Sequence, residues 1–324
     1  MKILITRKVP GIAVQLLQAH FEVDMHAGPS PMSTGELKRR VKDAAGILTL
    51  LTDQIDREII ESAAALRVIS NHAVGVDNID LASATRRGIA VTNTPSVLTD
   101  ATADFTWALL LAVSRNILAG DRLVRSGTFS GWDPLMLLGA DLKGKTLGIV
   151  GAGRIGGAVA ARSRGWEMDI CYFNRSVKRR LEKETGARRV ALPELLQSAD
   201  FVTIHLPLSA ETTHLIGASE LALMKPGAYL INTARGAIID EQALVAALRA
   251  RRIAGAALDV FEREPDLAAG LTELENVLLA PHIASATHHT RNQMAEIAAQ
   301  NIIHILQGRP PLSIVNPEVL ETDN

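Results

Sequence analysis

The stretch TLGIVGAGRIGGAVAARSRG places Gly151, Gly153 and Gly156 between an apolar strand pattern and a helix with an apolar stripe. In this context the G-x-G-x-x-G spacing is typical of a turn that binds a dinucleotide. The first glycine permits a tight turn, the second lets the backbone approach a pyrophosphate, and the third allows close helix–strand packing. A helix that begins near Arg154 would present free N–H groups to the phosphates. The predicted cofactor contacts in this turn are Gly151, Ala152, Gly153, Arg154, Ile155 and Gly156.

The next apolar strand ends in FNRS, where dinucleotide-binding folds often carry an acidic residue. Such a residue would accept hydrogen bonds from a ribose 2′-hydroxyl and repel a 2′-phosphate. Asn174 removes that repulsion, and Arg175 and Ser176 offer a guanidinium and a hydroxyl that suit phosphate. The three residues predict that NADP(H) is the preferred cofactor, with NAD(H) as the alternative. The competing interpretation is that Arg175 only begins a solvated basic run, RSVKRR.

Short apolar runs alternate with amphipathic segments along the chain. KILIT, AAGILTLL, LRVISNH and IAVTNT precede the glycine turn, and a second set extends from TLGIVGAG to NVLLAPHIAS. Near-continuous apolar strands separated by helices indicate parallel sheets covered on both faces. Between the two sets, DATADFTWALLLAVSRNILAGDRLV has the pattern of one long helix. We therefore predict an α/β protein with two doubly wound parallel-sheet domains.

The position of the glycine turn predicts how the chain is divided. A complete α/β unit precedes the turn, and the last amphipathic stretch, RNQMAEIAAQNIIHILQG, has no new strand set behind it. The simplest arrangement returns that stretch to the first domain. We expect a discontinuous substrate domain of residues 1–99 plus 286–324 and a dinucleotide-binding domain of residues 100–285, with a cleft between them.

Composition and charge argue against several classes of protein. A formal net charge of −1 and a pI near 6.8 predict no general affinity for nucleic acid or acidic membranes. The N-terminal segment MKILITRKVPGIAV lacks the apolar region of a signal peptide. The longest apolar run, WALLLAV, is far shorter than the roughly 18 residues that span a bilayer. With a single cysteine, Cys171, no internal disulfide can form. We expect a soluble cytoplasmic protein.

GAGRIG, INTARGAIIDEQAL, GAALDVFEREP and LLAPHIASAT occur in this order, and the whole chain resembles the D-isomer-specific 2-hydroxyacid dehydrogenase family. NHAVGVDNID, VTNTPSVLTDATADFTWALLLA and HIASATHHTRNQM are most similar to its glyoxylate/hydroxypyruvate reductases. The resemblance implies a flavodoxin-like substrate domain and a Rossmann dinucleotide-binding domain. It also implies an oxidoreductase that reduces a small 2-oxo acid, such as glyoxylate or hydroxypyruvate, to glycolate or D-glycerate.

Three residues match the catalytic groups of that family. Reduction of a 2-oxo acid requires a proton donor, and His282 suits this role because imidazole titrates near neutral pH. Glu264 can bind the other ring nitrogen, fix the tautomer and stabilise the imidazolium. Arg235, just past a strand, has a guanidinium that matches a substrate carboxylate. Each residue alone has a structural interpretation, and it is their joint appearance in matching motifs that favours catalysis.

Further contacts follow from the same resemblance. The backbone N–H groups of Val74 and Gly75 are expected to bind the substrate carboxylate, with Leu51 as a pocket wall and Ser285 as a polar neighbour of His282. Met136 stands where related reductases often carry a bulky aromatic residue, which leaves substrate contact from the segment 132–140 undetermined. The additional cofactor contacts predicted are Thr233, Ala234 and Asp259, the last of which is expected to support the cofactor or the fold.

No metal site is expected. His282, His288 and His289 lack a nearby pattern of acidic or cysteine ligands, and His282 is already assigned to proton transfer. A homodimer is expected, because the helix ATADFTWALLLAVSRN is apolar around more of its circumference than one buried face needs.

Two alternative functions stay open at this point. The first is another member of the family, such as a phosphoglycerate dehydrogenase, against which the chain length and the missing acid at Asn174 argue. The second is a corepressor that uses the fold to sense a dinucleotide, against which the absence of long charged tails argues.

Overall fold

The computed structural model describes residues 1–321, in which twelve strands and twelve helices are distributed along the chain. The strands are β1 Lys2–Ile5, β2 Glu22–Met25, β3 Ala44–Thr49, β4 Val68–Asn71, β5 Ala90–Thr92, β6 Thr146–Val150, β7 Asp169–Phe173, β8 Arg188–Arg189, β9 Phe201–Ile204, β10 Tyr229–Asn232, β11 Gly255–Leu258 and β12 Val277–Leu279. The helices are α1 Gly11–Gln18, α2 Thr34–Arg40, α3 Arg57–Ser62, α4 Leu81–Arg86, α5 Thr99–Ser114, α6 Ile117–Arg125, α7 Arg154–Ser163, α8 Arg179–Thr185, α9 Leu192–Ser198, α10 Ala218–Leu223, α11 Glu241–Arg249 and α12 His288–Leu306.

The chain folds as two compact units. The first unit contains Met1–Leu98 and the chain from Ala286 onward, and the second unit contains Thr99–Ser285. Residues 322–324, which the sequence analysis includes in the first domain, lie outside the described residues.

The first unit is built on a five-stranded parallel sheet with the strand order β2-β1-β3-β4-β5. This is the doubly wound order of flavodoxin-like folds. Successive residues of a strand point to opposite faces of the sheet. Accordingly, Ile3 and Ile5 pack in a core cluster with residues of α1 and α12, while Leu4 packs in a separate cluster with residues of α2, α3 and α4. Both faces of the sheet are therefore covered by helices.

The segment after α12 runs beside β5, an edge strand of this sheet. The backbone N–H of Val315 donates to the carbonyl of Val91 at 2.8 Å. The side chain of Asn316, which is 1% exposed, accepts from the N–H of Val91 at 2.7 Å and donates to the carbonyl of Ile89 at 3.0 Å. The Asn316 amide thus bonds to β5 as the backbone of a further strand would.

The second unit is built on a seven-stranded parallel sheet with the order β12-β11-β10-β9-β6-β7-β8. On one face, Ile149 and Ile231 share a core cluster with Trp107 of α5. On the other face, Val150 and Leu230 share a cluster with residues of α9, α10 and α11. The prediction of two doubly wound parallel sheets is confirmed.

The prediction of one long helix between the two strand sets is wrong. The segment forms α5 and α6, which are separated at Asn116, a residue with a left-handed φ of 52°. Helix α5 packs on β10, β11 and α7, and Trp107 donates from Nε1 to the carbonyl of Val159 at 3.0 Å. The apolar circumference of α5 is therefore largely used inside the second unit. Helix α6 buries none of its residues.

The two edge strands β2 and β8 are not predicted from the sequence. Strand β2 reads EVDM and β8 consists only of Arg188 and Arg189, so neither contains an apolar run. Charged residues are common on edge strands, because they discourage pairing with another chain. Within residues 1–321, no helix combines the length and the apolar character that are needed to cross a membrane.

Candidate active site

Four loops of the second unit follow the carboxyl ends of strands in its parallel sheet. Gly151 comes directly after β6, Thr233 directly after β10 and Asp259 directly after β11, while His282 follows β12 by a short loop. Because the strands are all parallel, their carboxyl ends lie at one edge of the sheet. This is the edge at which open α/β sheets bind ligands.

The glycine turn after β6 has the geometry that phosphate binding requires. Gly151 has a φ of +101°, and a Cβ there would lie 2.8 Å from the carbonyl carbon of His205. A Cβ on Gly156 would lie 2.2 Å from the carbonyl oxygen of Gly151, so this glycine allows α7 to begin close to the turn. Gly153 precedes α7 without a side-chain cap, and a Cβ there would meet no atom within 4 Å. Residues 151–156 therefore fit a pyrophosphate at the N-terminus of α7.

The loop after β7 carries the three residues predicted to read the ribose 2′-position. The amide of Asn174 donates to the carbonyl of Ser176 at 2.9 Å, and the side chains of Arg175 and Ser176 are exposed. A hydrogen bond from Ser209 lowers the pKa of Glu211, and the charge of Arg175 contributes in the same direction. Arg175 therefore lies near an acidic group as well as in the basic run.

Arg189 of β8 also holds this loop. It donates from Nε to the carbonyl of Asn174 at 2.9 Å and from Nη2 to the carbonyl of Arg175 at 3.0 Å. Arg189 is not among the residues predicted from the sequence, because its contact depends on the pairing of β8 with β7. A basic residue about a dozen positions after FNRS is the only signal that could have suggested it.

His282 and Glu264 form a direct pair. Nδ1 of His282 lies 2.9 Å from Oε2 of Glu264, and the other carboxylate oxygen accepts from the backbone N–H of Phe261 at 3.0 Å. Burial alone would raise the pKa of Glu264, but the hydrogen bond and charge of His282, with a contribution from the charge of Arg235, hold it below the usual value. Glu264 is therefore ionised at neutral pH and accepts the Nδ1–H, which leaves Nε2 to face a ligand.

Asp259 holds the loop that carries His282. Its fully buried carboxylate accepts from the backbone N–H groups of Ile283 and Ala284, both at 2.8 Å, and its carbonyl accepts from the N–H of His282 at 2.8 Å. His282 itself has a left-handed φ of 55°. Burial raises the pKa of Asp259, and the two N–H groups oppose that effect. The hydrogen bonds show Asp259 supporting the fold at His282; its contact with the cofactor stays a prediction.

Arg235 lies in the loop after β10, beside the segment from Phe261 to Ala268 that carries Glu264. Nη1 of Arg235 donates to the carbonyl of Ala234, and the amide of Asn232 donates to the carbonyl of Arg235, both at 2.9 Å. The next residue, Gly236, is so close to the other loop that a Cβ would lie 1.9 Å from the carbonyl carbon of Phe261. The structure thus brings Arg235, Glu264 and His282 together through backbone packing.

The other predicted contacts in the second unit have the following surroundings. The hydroxyl of Thr233 is 2.9 Å from that of Thr106 in α5, and Ala234 is half-buried, with its N–H donating to Asn232. Ser285 and Met136 are half-buried. Their contacts with cofactor or substrate stay predictions.

In the first unit, asparagine side chains donate to the backbone carbonyls of the predicted substrate loop at Val74 and Gly75. Asn93 donates to the carbonyl of Val74 at 2.7 Å, and Asn71 donates to the carbonyl of Gly75 at 2.8 Å. Both loop residues are half-buried, as is Leu51. With the carbonyls engaged, the orientation of the loop backbone is fixed, which suits a loop that binds a ligand through its N–H groups.

Residues 1–321 contain no group of three or more His, Cys, Asp or Glu side chains that could hold a metal ion. His282 uses Nδ1 for Glu264, and His288 and His289 are exposed at the start of α12.

The close approach at Gly236 can be tested by adding a methyl group. Gly236→Ala should lower the free energy of unfolding by about 1–3 kcal/mol or more, because the Cβ overlaps the backbone of Phe261 and Glu262. Gly227 precedes β10, the strand that Gly236 follows, and a Cβ on Gly227 would meet no atom within 4 Å. Gly227→Ala should therefore leave the free energy of unfolding unchanged or raise it by about 0.4–1 kcal/mol. Denaturant unfolding of both variants measures the difference, and equal effects would contradict the packing described.

The chain is similar to several known proteins. The family model described as D-isomer specific 2-hydroxyacid dehydrogenase, NAD binding domain, matches residues 107–284. The chain is 50% identical to the glyoxylate reductase of Thermococcus litoralis over 98% of both chains. It is 48% identical to the glyoxylate reductase of Korarchaeum cryptofilum over 99% of this chain and 97% of that relative.

Two solved structures extend the comparison. A protein of Thermus thermophilus superposes with a TM-score of 0.91 at 45% identity, covering 97% of this chain and 100% of that one. The second structure is the NADPH-dependent glyoxylate/hydroxypyruvate reductase of Sinorhizobium meliloti in complex with NADP and malonate. It superposes with a TM-score of 0.86 at 32% identity, covering 97% of this chain and 96% of that one. These findings support the predicted class of cofactor, a nicotinamide dinucleotide. The chain belongs to the D-isomer-specific 2-hydroxyacid dehydrogenase family.

Proposed function

We propose that the protein reduces a small 2-oxo acid, glyoxylate or hydroxypyruvate, to glycolate or D-glycerate with NAD(P)H. The observation that carries this proposal is the 2.9 Å hydrogen bond between His282 and Glu264, with the charge of Arg235 acting on the same carboxylate. A proton donor, its anionic partner and a cation are the groups that this reduction requires. Relatives about half identical to the chain are named glyoxylate reductases, which supports the choice of substrate.

In this proposal the second unit is the dinucleotide-binding domain and the first unit is the substrate domain. The support for the former is the turn at residues 151–156, whose backbone fits a pyrophosphate. The support for the latter is the braced loop at Val74 and Gly75, whose N–H groups suit a substrate carboxylate. In the first unit, Leu51 is a proposed wall of the substrate pocket, and in the second unit Ser285 is a proposed polar neighbour of His282.

When bound, a nicotinamide dinucleotide supplies the hydride for the carbonyl carbon of the substrate. The protein supplies the proton, which passes from Nε2 of protonated His282 to the developing alkoxide. Glu264 accepts the Nδ1–H, fixes the ring in one orientation and stabilises the imidazolium until the proton is transferred. The guanidinium of Arg235 binds the substrate carboxylate and polarises the carbonyl group.

This mechanism predicts that His282→Ala lowers kcat for glyoxylate by roughly 10²–10⁴ with little change in cofactor affinity. His20→Ala, which removes an exposed histidine of the first unit, should keep wild-type activity. The assay is a panel of 2-oxo acids with NADPH and NADH. A His282→Ala enzyme with near-normal kcat would exclude the proposed proton donor, and a wild-type enzyme inactive on every short 2-oxo acid would exclude the function.

We further propose that NADPH is preferred over NADH. No acidic residue stands at the end of β7, and Asn174 turns its amide toward the backbone of Ser176. Arg175 and Ser176 are exposed on a loop whose carbonyls are held by Arg189. This puts two guanidinium groups beside the loop at which a ribose 2′-phosphate would lie, and such groups bind phosphate oxygens strongly.

Arg175→Ala should therefore weaken NADPH binding selectively and leave NADH binding nearly unchanged. A charge-assisted contact implies a loss of roughly 10- to 150-fold, toward the low end because Arg175 is exposed. Asn174→Asp should act in the same direction by repelling the phosphate.

The measurement is the ratio of kcat/KM for NADPH to that for NADH. Arg180→Ala is the matched control, since Arg180 belongs to the same basic run and pairs with Glu184. A wild-type preference for NADH, or a ratio that Arg175→Ala leaves unmoved, would mean that Arg175 is only part of a solvated run.

We also propose that the protein is a homodimer, through a surface other than the one that the sequence analysis suggests. Helix α5 is largely buried within the second unit, so it does not provide the exposed apolar face. Exposed apolar side chains instead follow it in α6 and the segment 128–138, where Trp132 is 82% and Leu135 76% exposed. Pairing with a second copy would bury this surface, and exposed patches of this kind commonly mark interfaces.

Light scattering at micromolar concentration should therefore give twice the chain mass of 34.7 kDa. Leu135→Glu should shift the protein toward a monomer, because a charge would be buried in the interface. Leu312→Glu, at an exposed apolar position of the first unit, should leave the dimer intact. A monomeric wild-type protein would contradict the proposal.

A further inference from the structure

The segment from Phe261 to Ala268, which carries Glu264, is held by a buried carboxylate that takes no part in the mechanism above. Glu241, the first residue of α11, is 4% exposed. Its Oε1 accepts from the backbone N–H of Glu262 at 2.8 Å. The backbone N–H of Ala268 is near enough to act with that of Glu262 in lowering the pKa of this carboxyl. These two N–H groups lie on opposite sides of Glu264 in the chain, so the Glu241 carboxylate lies beside the segment that carries Glu264.

Glu262 reinforces this connection. Its Oε2 accepts from the backbone N–H of Glu241 at 3.4 Å, and its Oε1 lies 3.1 Å from Nε2 of His214. The start of α11 and the Glu264 segment are therefore joined in both directions. Gly236 also packs closely against the backbone of Phe261 and Glu262.

We propose that Glu241 is a positioning residue for proton transfer, which holds the Glu264 carboxylate in register with Nδ1 of His282. This inference rests on the proposed function. Burial raises the pKa of Glu241, and the negative charges of Glu262 and Glu264 act in the same direction, against the two backbone N–H groups. Burial of a carboxylate costs free energy unless backbone N–H groups lie close to it. The position of the Glu241 carboxylate therefore depends on the conformation of the Phe261–Ala268 segment.

Glu241→Gln tests this role with little change of shape. The amide has one acceptor oxygen, and its NH₂ group would face a backbone N–H, so one of the two contacts is lost. We expect kcat for glyoxylate to fall about 10- to 100-fold, the effect of misplacing a reacting group by about 1 Å. The dissociation constant for NADPH should change less than about twofold. The basic limb of the pH–rate profile should move to lower pH, because a displaced Glu264 stabilises the imidazolium less.

A double-mutant cycle with Glu264→Gln separates positioning from general damage. If Glu241 acts through Glu264, the double variant should be no slower than Glu264→Gln alone. Multiplication of the two losses, or a full kcat in Glu241→Gln, would overturn the proposal. Asp240→Asn is the matched control: it removes a negative charge from the start of the same helix, but Asn can still accept from the N–H of Ala243, so neither stability nor the pH profile should change much.

Amide hydrogen exchange provides a readout that does not depend on turnover. In Glu241→Gln, the N–H of Glu262 should exchange faster, while the N–H of Ile283, which Asp259 holds, should keep its protection. Unchanged exchange at Glu262 would overturn the inference even if the enzyme were active. Should Glu241→Gln fail to fold, Glu241→Asp shortens the side chain but keeps its charge, and the same changes are expected. A wild-type protein without turnover would refute the proposed function, whereas the exchange experiment would still test the contact.

Discussion

The parallel alignment of the strands is the constraint on which the rest of the second unit depends. With every strand running the same way, the residues that follow β6, β10, β11 and β12 are brought to one edge of the sheet. Gly151, Arg235 and His282 are far apart in the chain, yet each occupies a loop at that edge. Helices connect successive strands and cover both faces of the sheet. Polar functional side chains can therefore lie in the loops at this edge without disturbing the core.

Within that edge, buried carboxylates fix the loops by accepting backbone N–H groups. Asp259 accepts from the N–H groups of Ile283 and Ala284 beside His282, and Glu241 accepts from the N–H of Glu262, two residues before Glu264. A desolvated carboxylate is costly unless it is fully hydrogen-bonded, so each one favours a single arrangement of its loop. Separate buried acids thus contact the two chain segments that carry His282 and Glu264.

The fold class, the glycine turn and the His282–Glu264 pair could be predicted from the sequence, because each is indicated by a short local motif. The glycine turn combines a spacing with a strand before it and a helix after it, and His282 and Glu264 lie in motifs that match a known family. Arg189 and Glu241 escaped prediction for a physical reason. Arg189 acts through strand pairing that two exposed residues do not announce, and Glu241 has the sequence appearance of an ordinary acid in the first turn of a helix. The break at Asn116 was missed because the apolar pattern continues past it, while the turn depends on one left-handed residue.

The contact of Asn316 with β5 has a consequence for how the protein behaves at high concentration. An edge strand with free N–H and C=O groups is a template on which a strand of another molecule can add. At β5 the amide of Asn316 and the N–H of Val315 occupy the groups of Val91 and Ile89 that such a strand would use. Release of the C-terminal segment would therefore expose these groups of β5, so the contact of this segment with β5 protects the protein against aggregation by strand addition.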